Sequence, residues 1–283
     1  MSDPAQASTP QPSAAQQQLP IVIVQLYPEE LGVAGDRGNV MAVTQRLQAS
    51  GLAVTLVEHR VGDILPTDID LVIVGNGPLS AMRNVYDDLR ANATALAELH
   101  TAGVPIFAYG SGAELLSRGI HVTEQSGESS AIEGLGLFDF TATRVPKRTV
   151  GYVVVKAAIG HIVGFEDNAS VWVLEPGTQP LGAVESGGGN GALSGASAGG
   201  AAAGVVSTGG AAAEGALSGA SIATQIGGPV LPLNPILTDA LISSIATRRG
   251  LTITPPVSPQ ADLYAERARE VILSHAKHVF SRI

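Results

Sequence analysis

The sequence predicts an α/β fold: an open, mostly parallel sheet with helices on both faces. Two observations predict it. Short runs of apolar, β-branched residues alternate with stretches in which apolar residues recur at helical spacing, and short glycine-containing turns join them. Strands that are apolar along their whole length are typical of parallel sheets covered on both sides. Ligands of such sheets bind at the carboxyl ends of the strands, so the turns after the strands are the candidates for a site.

The first half of the chain supplies four predicted strands and the helices between them. The strands are predicted at Pro20–Leu26, Ala53–Glu58, Ile69–Val74 and Val104–Tyr109. The spacing of apolar residues predicts one helix over Val40–Leu47 with Asn39 as its N-cap, and a second helix over Val85–Thr101. This half therefore accounts for the core of the parallel sheet.

The second half is less regular. Short strand-like runs, expected to be partly antiparallel, lie at Val150–Ala157, Gly160–Phe165, Ser170–Leu174 and Pro180–Val184. Two closing helices are predicted, over Leu237–Arg249 and from Leu263 to Val279, with Pro255-Pro256 as the linker between them.

One domain is predicted over residues 20–283. Residues 1–19 are polar, lack the basic and apolar regions of a signal peptide, and are expected to form a disordered tail. Residues 187–219 are almost entirely Gly, Ala and Ser. They offer too little apolar side chain to offset the entropy lost on ordering, so a flexible insertion is expected there.

Composition excludes several classes of function. The net charge is −9 and the Lys and Arg residues are scattered, which argues against nucleic acid as a partner. The chain has no cysteine, so it can form no disulfide, thiolate metal site or cysteine nucleophile. No cofactor is expected, because no Cys/His cluster has metal-ligand spacing and Gly75-Asn76-Gly77 lacks the lysine of a phosphate loop. No apolar stretch is long enough to span a bilayer, and a cytoplasmic protein is expected.

The stretch Val104–Gly119 is the strongest candidate for a functional site. An apolar run enters the turn Gly110-Ser111-Gly112, and a short helical stretch follows. A strand, a sharp turn and a helix are how α/β enzymes present a nucleophile, and small residues in the turn keep backbone amides open to an oxyanion. The apex of this turn, Gly110, has no side chain.

Five stretches resemble, in order and spacing, the class I glutamine amidotransferases of the CobB/CobQ-like type. The resemblance is closest to GatD, the glutaminase subunit of bacterial lipid II isoglutaminyl synthases. The stretches are Leu26-Tyr27-Pro28 with Gly35–Asn39, Val104–Leu116, Glu133–Leu137, Ile162–Glu166 and Gly228–Pro235. The resemblance extends from about Pro20 to the C-terminal helix and implies the fold of that family.

The resemblance also implies which residues stand at the family's catalytic positions. In that family a cysteine attacks the side-chain amide of glutamine, and a histidine transfers the proton. Gly110 matches the cysteine, Asn168 matches the histidine, and Arg148 matches an arginine to which the family assigns substrate binding. Glycine cannot form an acyl intermediate and an asparagine amide is not a base near neutral pH, so the resemblance implies a degenerate glutaminase. Backbone amides of the Gly75–Gly77 and Gly110–Gly112 turns would remain available as an oxyanion hole.

Each neighbouring side chain has a functional and a structural interpretation. Ser111 is either a replacement nucleophile or an ordinary turn serine, and Arg148 either binds an anionic ligand or pairs with a nearby acid. His161 is expected to be a packed or edge residue rather than a base. Asp36 and Arg37 are expected to form a local ion pair. Glu166 and Asp167 are expected to be solvated loop carboxylates.

Three functions remain open. The first is a GatD-like subunit in peptidoglycan precursor synthesis, which lacks glutaminase activity and supports a MurT-like, ATP-using Mur ligase subunit in a heterodimer. The second is a stand-alone protein that binds glutamine or another small carboxylate near Arg148. The third is a hydrolase that uses Ser111. A neighbouring ligase gene would favour the first function, and stabilisation of the protein by glutamine would favour the second. Acylation of Ser111 would favour the third.

Overall fold

The computed structural model describes residues 19–123, 127–191, 212–253 and 259–275. The strands in these residues are β1 (Ile21–Leu26), β2 (Val54–His59), β3 (Leu71–Val74), β4 (Ile106–Tyr109), β5 (Gly119–Thr123), β6 (Ser129–Glu133), β7 (Phe140–Ala157), β8 (Gly160–Leu174), β9 (Gly182–Ser186), β10 (Ala213–Glu214), β11 (Ala216–Ser218) and β12 (Ser221–Thr224). The helices are α1 (Asp36–Ala49), α2 (Leu79–Ala91), α3 (Ala93–Thr101), α4 (Ser111–Leu116), α5 (Val230–Leu233), α6 (Pro235–Arg249) and α7 (Pro259–His275).

The first sheet is the predicted parallel sheet. Its strand order is β11-β12-β4-β3-β1-β2, and all neighbouring strands are parallel except β11, which runs antiparallel to β12 at one edge. The carboxyl ends of β3, β4 and β12 therefore lie side by side. This arrangement brings the turns that follow these three strands to one edge of the sheet.

Helices cover both faces of this sheet, as the sequence predicts. Ile21 and Ile23 of β1 belong to a buried cluster with residues of α1 and α6. Val24 and Leu26 of the same strand belong to a second buried cluster with residues of α2 and α3. Because successive side chains of a strand point to opposite faces, one apolar strand supplies both cores.

A second sheet, with the order β10-β9-β7-β5-β6 and β8 paired to β7, packs against the first. The four predicted strand-like runs are parts of it, but the long β7–β8 hairpin joins three of them into two strands of 18 and 15 residues. The pairing shifts register between Arg144 and Thr149, around Pro146, which has no N–H for the ladder. Phe140 of β7 stacks on Trp172 of β8 with ring centroids 4.2 Å apart.

Several predicted boundaries were wrong. Helix α1 begins at Asp36, so Asn39 is not its N-cap; its side-chain oxygen instead accepts the Leu231 N–H at 2.9 Å. The helix predicted over Val85–Thr101 is two helices that meet at Asn92, whose side-chain amide donates to the Asp88 carbonyl.

Part of the segment 187–219, predicted to be a flexible insertion, has regular structure. Residues 187–191 and 212–219 are described, and strands β10 and β11 lie among the latter. The remainder, 192–211, and the predicted tail at 1–18 lie outside the described residues, as does Val279 of the predicted closing helix.

Candidate functional site

The elbow is the turn between β4 and α4, with Gly110 at its apex. Gly110 has φ 53° and ψ −122°, a conformation that glycine adopts without the steric cost met by other residues. Its N–H donates to the Thr224 carbonyl at 3.0 Å, and its carbonyl accepts the Glu114 N–H at 3.0 Å. The sharp strand-to-helix turn predicted from the sequence is therefore present, held by β12 on one side and by α4 on the other.

The Gly75–Gly77 loop closes over this elbow. The Asn76 side-chain oxygen accepts the Ser111 N–H at 2.9 Å, and the Ser111 hydroxyl oxygen accepts the Gly77 N–H at 2.7 Å. The Gly112 N–H donates to the Gly75 carbonyl at 3.1 Å. These amides, which were expected to stay open as an oxyanion hole, are thus satisfied by acceptors within the chain.

The Asp36 carboxylate stabilises the Gly75–Gly77 loop. Its Oδ2 accepts the Asn76 N–H at 3.2 Å and the Ala34 N–H at 3.3 Å, while its Oδ1 is buried without a hydrogen-bond partner in the described residues. Burial raises the pKa of Asp36 to about 6, and hydrogen bonds from the backbone N–H groups of Asn76, Ala34 and Asp36 itself oppose that rise. The local ion pair with Arg37 that was expected is replaced by these bonds to backbone amides.

Asn168, which the sequence resemblance matches to the family's base, lies on β8 opposite Thr149 of β7. Its side-chain nitrogen is buried and has no partner in the described residues. An amide neither accepts nor releases a proton near neutral pH, so this side chain cannot serve as general base.

Gly227 links β8 to the elbow. Its N–H donates to the Phe165 carbonyl at 2.7 Å, and a Cβ at Gly227 would collide with the Tyr109 hydroxyl. Tyr109 immediately precedes Gly110. Gly227 thus connects β8, the strand that carries Asn168, to Tyr109, the last residue of β4 before the apex.

Arg148 lies in the irregular part of β7 and forms an ion pair with Asp167. Both side chains are about half exposed, at 55% and 45%. Burial raises the pKa of Tyr109; the nearby charges of Asp36 and Asp167 add to that rise, and Arg148 opposes it. In this structure Arg148 is thus paired with an acid, the structural alternative that the sequence left open.

Two other candidates have structural roles. Ser111 is 1% exposed, and its hydroxyl is engaged by the Gly77 N–H, away from solvent. His161 is an exposed strand residue whose Nε2 lies 3.0 Å from Glu185 Oε2, in agreement with an edge histidine. Neither arrangement provides a nucleophile with an adjacent base.

A pair of buried acids lies next to the elbow. Glu166 accepts the Gly188 N–H at 2.6 Å and the Gly189 N–H at 3.0 Å, and is 3% exposed rather than solvated as expected. Glu214 accepts the Gln225 N–H at 2.7 Å and the Thr224 hydroxyl at 2.9 Å. These two acids connect the described ends of the 187–219 segment to β8 and β12.

Burial dominates the titration of both acids. It raises the pKa of Glu166 and, with the nearby charge of Glu166, raises that of Glu214 to about 7. Hydrogen bonds from backbone amides oppose the rise in each case. Glu214 Oε2 is buried without a partner in the described residues, which a protonated carboxyl tolerates better than a carboxylate.

Sequence reasoning gave no role to the side chains of Asn76 and Glu214, and it wrongly expected Glu166 to be solvated. One feature of the sequence could have pointed to Asn76: it is a carboxamide between two glycines, in a turn predicted to lie beside the elbow. The described residues bring together no group of three or more His, Cys, Asp or Glu side chains suited to a metal ion. Among the same residues, no helix has both the length and the apolarity needed to cross a bilayer.

A protein-family model matches most of the chain. Residues 22–209 match the CobB/CobQ-like glutamine amidotransferase domain, about two thirds of the chain. Among individual proteins, the chain is similar to the Staphylococcus aureus (strain N315) protein named lipid II isoglutaminyl synthase (glutamine-hydrolyzing) subunit GatD. The two are 26% identical over 259 residues, which cover 90% of this chain and 96% of that protein.

Solved structures also align with the chain. A glutamine amidotransferase from Thermotoga maritima aligns with a TM-score of 0.47 and 11% identity, covering 91% of this chain and 95% of that one. PurLQS from Thermotoga maritima aligns with a TM-score of 0.45 and 16% identity, covering 81% and 98%.

Proposed function

The chain belongs to the CobB/CobQ-like glutamine amidotransferase family, and we propose that it is a GatD-like subunit that no longer hydrolyses glutamine. In this proposal it supports a MurT-like Mur ligase subunit, which amidates the D-glutamate of the peptidoglycan precursor lipid II with free ammonia. The similarity to GatD over most of both chains supports the choice of partner and substrate.

One observation carries the loss of hydrolysis: the apex of the elbow is Gly110, in a turn whose geometry is otherwise that of a nucleophile elbow. Without a side chain at the apex no acyl intermediate forms, whatever stabilises the carbonyl oxygen. Asn168 at the base position removes the proton transfer as well. The chain has no cysteine that could substitute from elsewhere.

The remaining contribution of the chain is then structural or regulatory. The sheet, both helical layers and the ordered elbow supply a rigid surface, because the backbone donors around the site have partners inside the chain. Such a surface can order a ligase subunit without chemistry of its own.

The test is co-expression with a MurT-like ligase, co-purification, and assay of lipid II amidation with glutamine or ammonium as the nitrogen source. The Staphylococcus aureus subunit serves as the comparison. We expect amidation with ammonium only, at a rate raised by this chain. Amidation driven by glutamine would contradict the loss of hydrolysis. Failure to associate would contradict the partner role and favour a stand-alone protein that binds glutamine or a small carboxylate near Arg148.

A further inference from the structure

We propose that the Asn76 side chain is an internal ligand of the elbow, filling the space of a side chain at position 110 and using the amide that would otherwise polarise a substrate carbonyl. The inference rests on the proposed loss of hydrolysis, and it adds how the emptied site is kept closed.

The first argument is steric. A Cβ placed on Gly110 would lie 2.5 Å from Oδ1, 2.8 Å from Cγ and 3.2 Å from Cβ of Asn76, and these are its three nearest atoms. Side chains do not tolerate such distances, so residue 110 cannot carry a side chain while Asn76 keeps its position. The glycine at the apex and the asparagine in the facing loop are therefore complementary.

The second argument is chemical. In a nucleophile elbow, the N–H of the residue after the apex helps to bind the carbonyl oxygen under attack. Here that residue is Ser111, and its N–H donates to Asn76 Oδ1 at 2.9 Å. Asparagine ends in a primary carboxamide, the same group that glutamine presents. The chain thus places a carboxamide of its own where a substrate carboxamide would bind.

The third argument is that the loop holds Asn76 from several sides. Its N–H donates to Asp36 Oδ2 at 3.2 Å, and its carbonyl accepts the Val33 N–H at 3.2 Å. The next residue, Gly77, donates to the Ser111 hydroxyl at 2.7 Å. Because hydrogen bonds fix the backbone of Asn76 on both sides, its side chain loses little entropy when it binds the Ser111 N–H. A competing ligand would have to displace this preorganised group.

A stability cycle tests the steric argument with four chains: the natural sequence, Asn76→Gly, Gly110→Ala and the double variant. Gly110→Ala should raise the equilibrium constant for unfolding in both backgrounds. We expect the factor to be at least about tenfold smaller in the Asn76→Gly background than in the natural chain, because the overlapping side chain is gone. Urea denaturation measures it, and Asn76→Ala provides a second background. An equal effect of Gly110→Ala in all backgrounds would overturn the proposal.

A reactivity measurement tests whether the pocket opens. Because the chain has no cysteine, Gly110→Cys introduces the single thiol, and mass spectrometry can follow its alkylation by iodoacetamide. We expect alkylation at least about tenfold faster when Asn76→Gly is added. Gly136→Cys is the matched control: this glycine is also at positive φ, is exposed, and has open space around its Cβ.

Equal alkylation rates for Gly110→Cys in the two backgrounds would overturn the proposal, as would an equal acceleration at Gly136→Cys. Neither measurement uses the ligase or lipid II. A negative amidation result therefore bears on the proposed function, and a negative cycle or alkylation result bears on Asn76 alone.

Discussion

The elbow around Gly110 and the buried acid Glu214 both bond to Thr224 at the end of β12, yet the elbow and the acid pair Glu166 and Glu214 differ in chemistry. At the elbow the apex is a glycine, and a neutral amide, Asn76, accepts the Ser111 N–H. A short distance away two buried carboxyl groups accept four donors between them. The difference teaches that buried N–H groups require acceptors, and that an amide in one region and carboxyl groups in the other can supply them.

The largest expected effect concerns the elbow itself. Gly110→Ala should lower the free energy of unfolding by about 4 kcal/mol, because the alanine suffers both an unfavourable φ of 53° and overlap with Asn76. Gly136→Ala, at φ 71° with nothing near its Cβ, should lose only about 1 kcal/mol. Urea denaturation of both variants measures the difference, and equal losses would mean that the Asn76 contact is not tight.

The acid pair should make stability depend on pH. The pKa of Glu214 is about 7 in the folded chain, against 4.5 ordinarily, so the folded state binds the proton more tightly. Stability should therefore fall by about 3 kcal/mol as pH rises from 4.5 to 7 and change little above that range. Asp36, with a pKa of about 6, acts in the same direction at lower pH.

The control for this pH dependence is Glu214→Gln. It should abolish the fall in stability between pH 6 and 7 and leave the part that Asp36 contributes below pH 6. Denaturant titrations at several pH values measure both chains. An unchanged slope between pH 6 and 7 in the variant would show that another group titrates there.

Replacing either acid by glutamine should change the free energy of unfolding, but in opposite directions at the two positions. At pH 8 Glu214→Gln should stabilise, since an amide replaces a carboxylate whose Oε2 has no partner. Glu166→Gln should cost about 2 kcal/mol, because both of its oxygens accept backbone N–H groups and glutamine offers one acceptor. Thermal and urea unfolding at pH 8 compare the two. A loss at Glu214 equal to that at Glu166 would contradict this assignment.

The smallest expected effect is at Arg148. Its ion pair with Asp167 is about half exposed, so Arg148→Gln should change the free energy of unfolding by about 0.5 kcal/mol or less. Asp167→Asn should give the same small value, measured in urea at low and high salt. A much larger loss would mean that the pair holds β7 and β8 together.

The sequence predicted the parallel sheet and the elbow well, because both depend on local patterns. Each central strand is a continuous apolar run, and Gly110-Ser111-Gly112 follows such a run directly. The second sheet was predicted only as fragments, since Pro146 and the polar residues after it interrupt β7 although the strand continues through a register shift.

The contacts that close the site could not be predicted, because they join distant parts of the chain. Asn76 meets Ser111 across 35 positions, and Glu166 meets Gly188 across 22. Asparagine is a residue type that commonly caps helices, but the fold places the Asn39 side chain where it accepts the Leu231 N–H instead. Local propensity identifies which residues can accept a hydrogen bond, whereas topology decides which donor each one meets.

The most direct test of the central claim is the release of glutamate from glutamine by this chain in complex with a MurT-like ligase, in the presence of ATP and lipid II. The proposed loss of the nucleophile at Gly110 and of the base at Asn168 predicts a rate equal to that of the ligase alone. Glutamate release that rises in proportion to the concentration of the chain, and persists after repurification, would contradict the account.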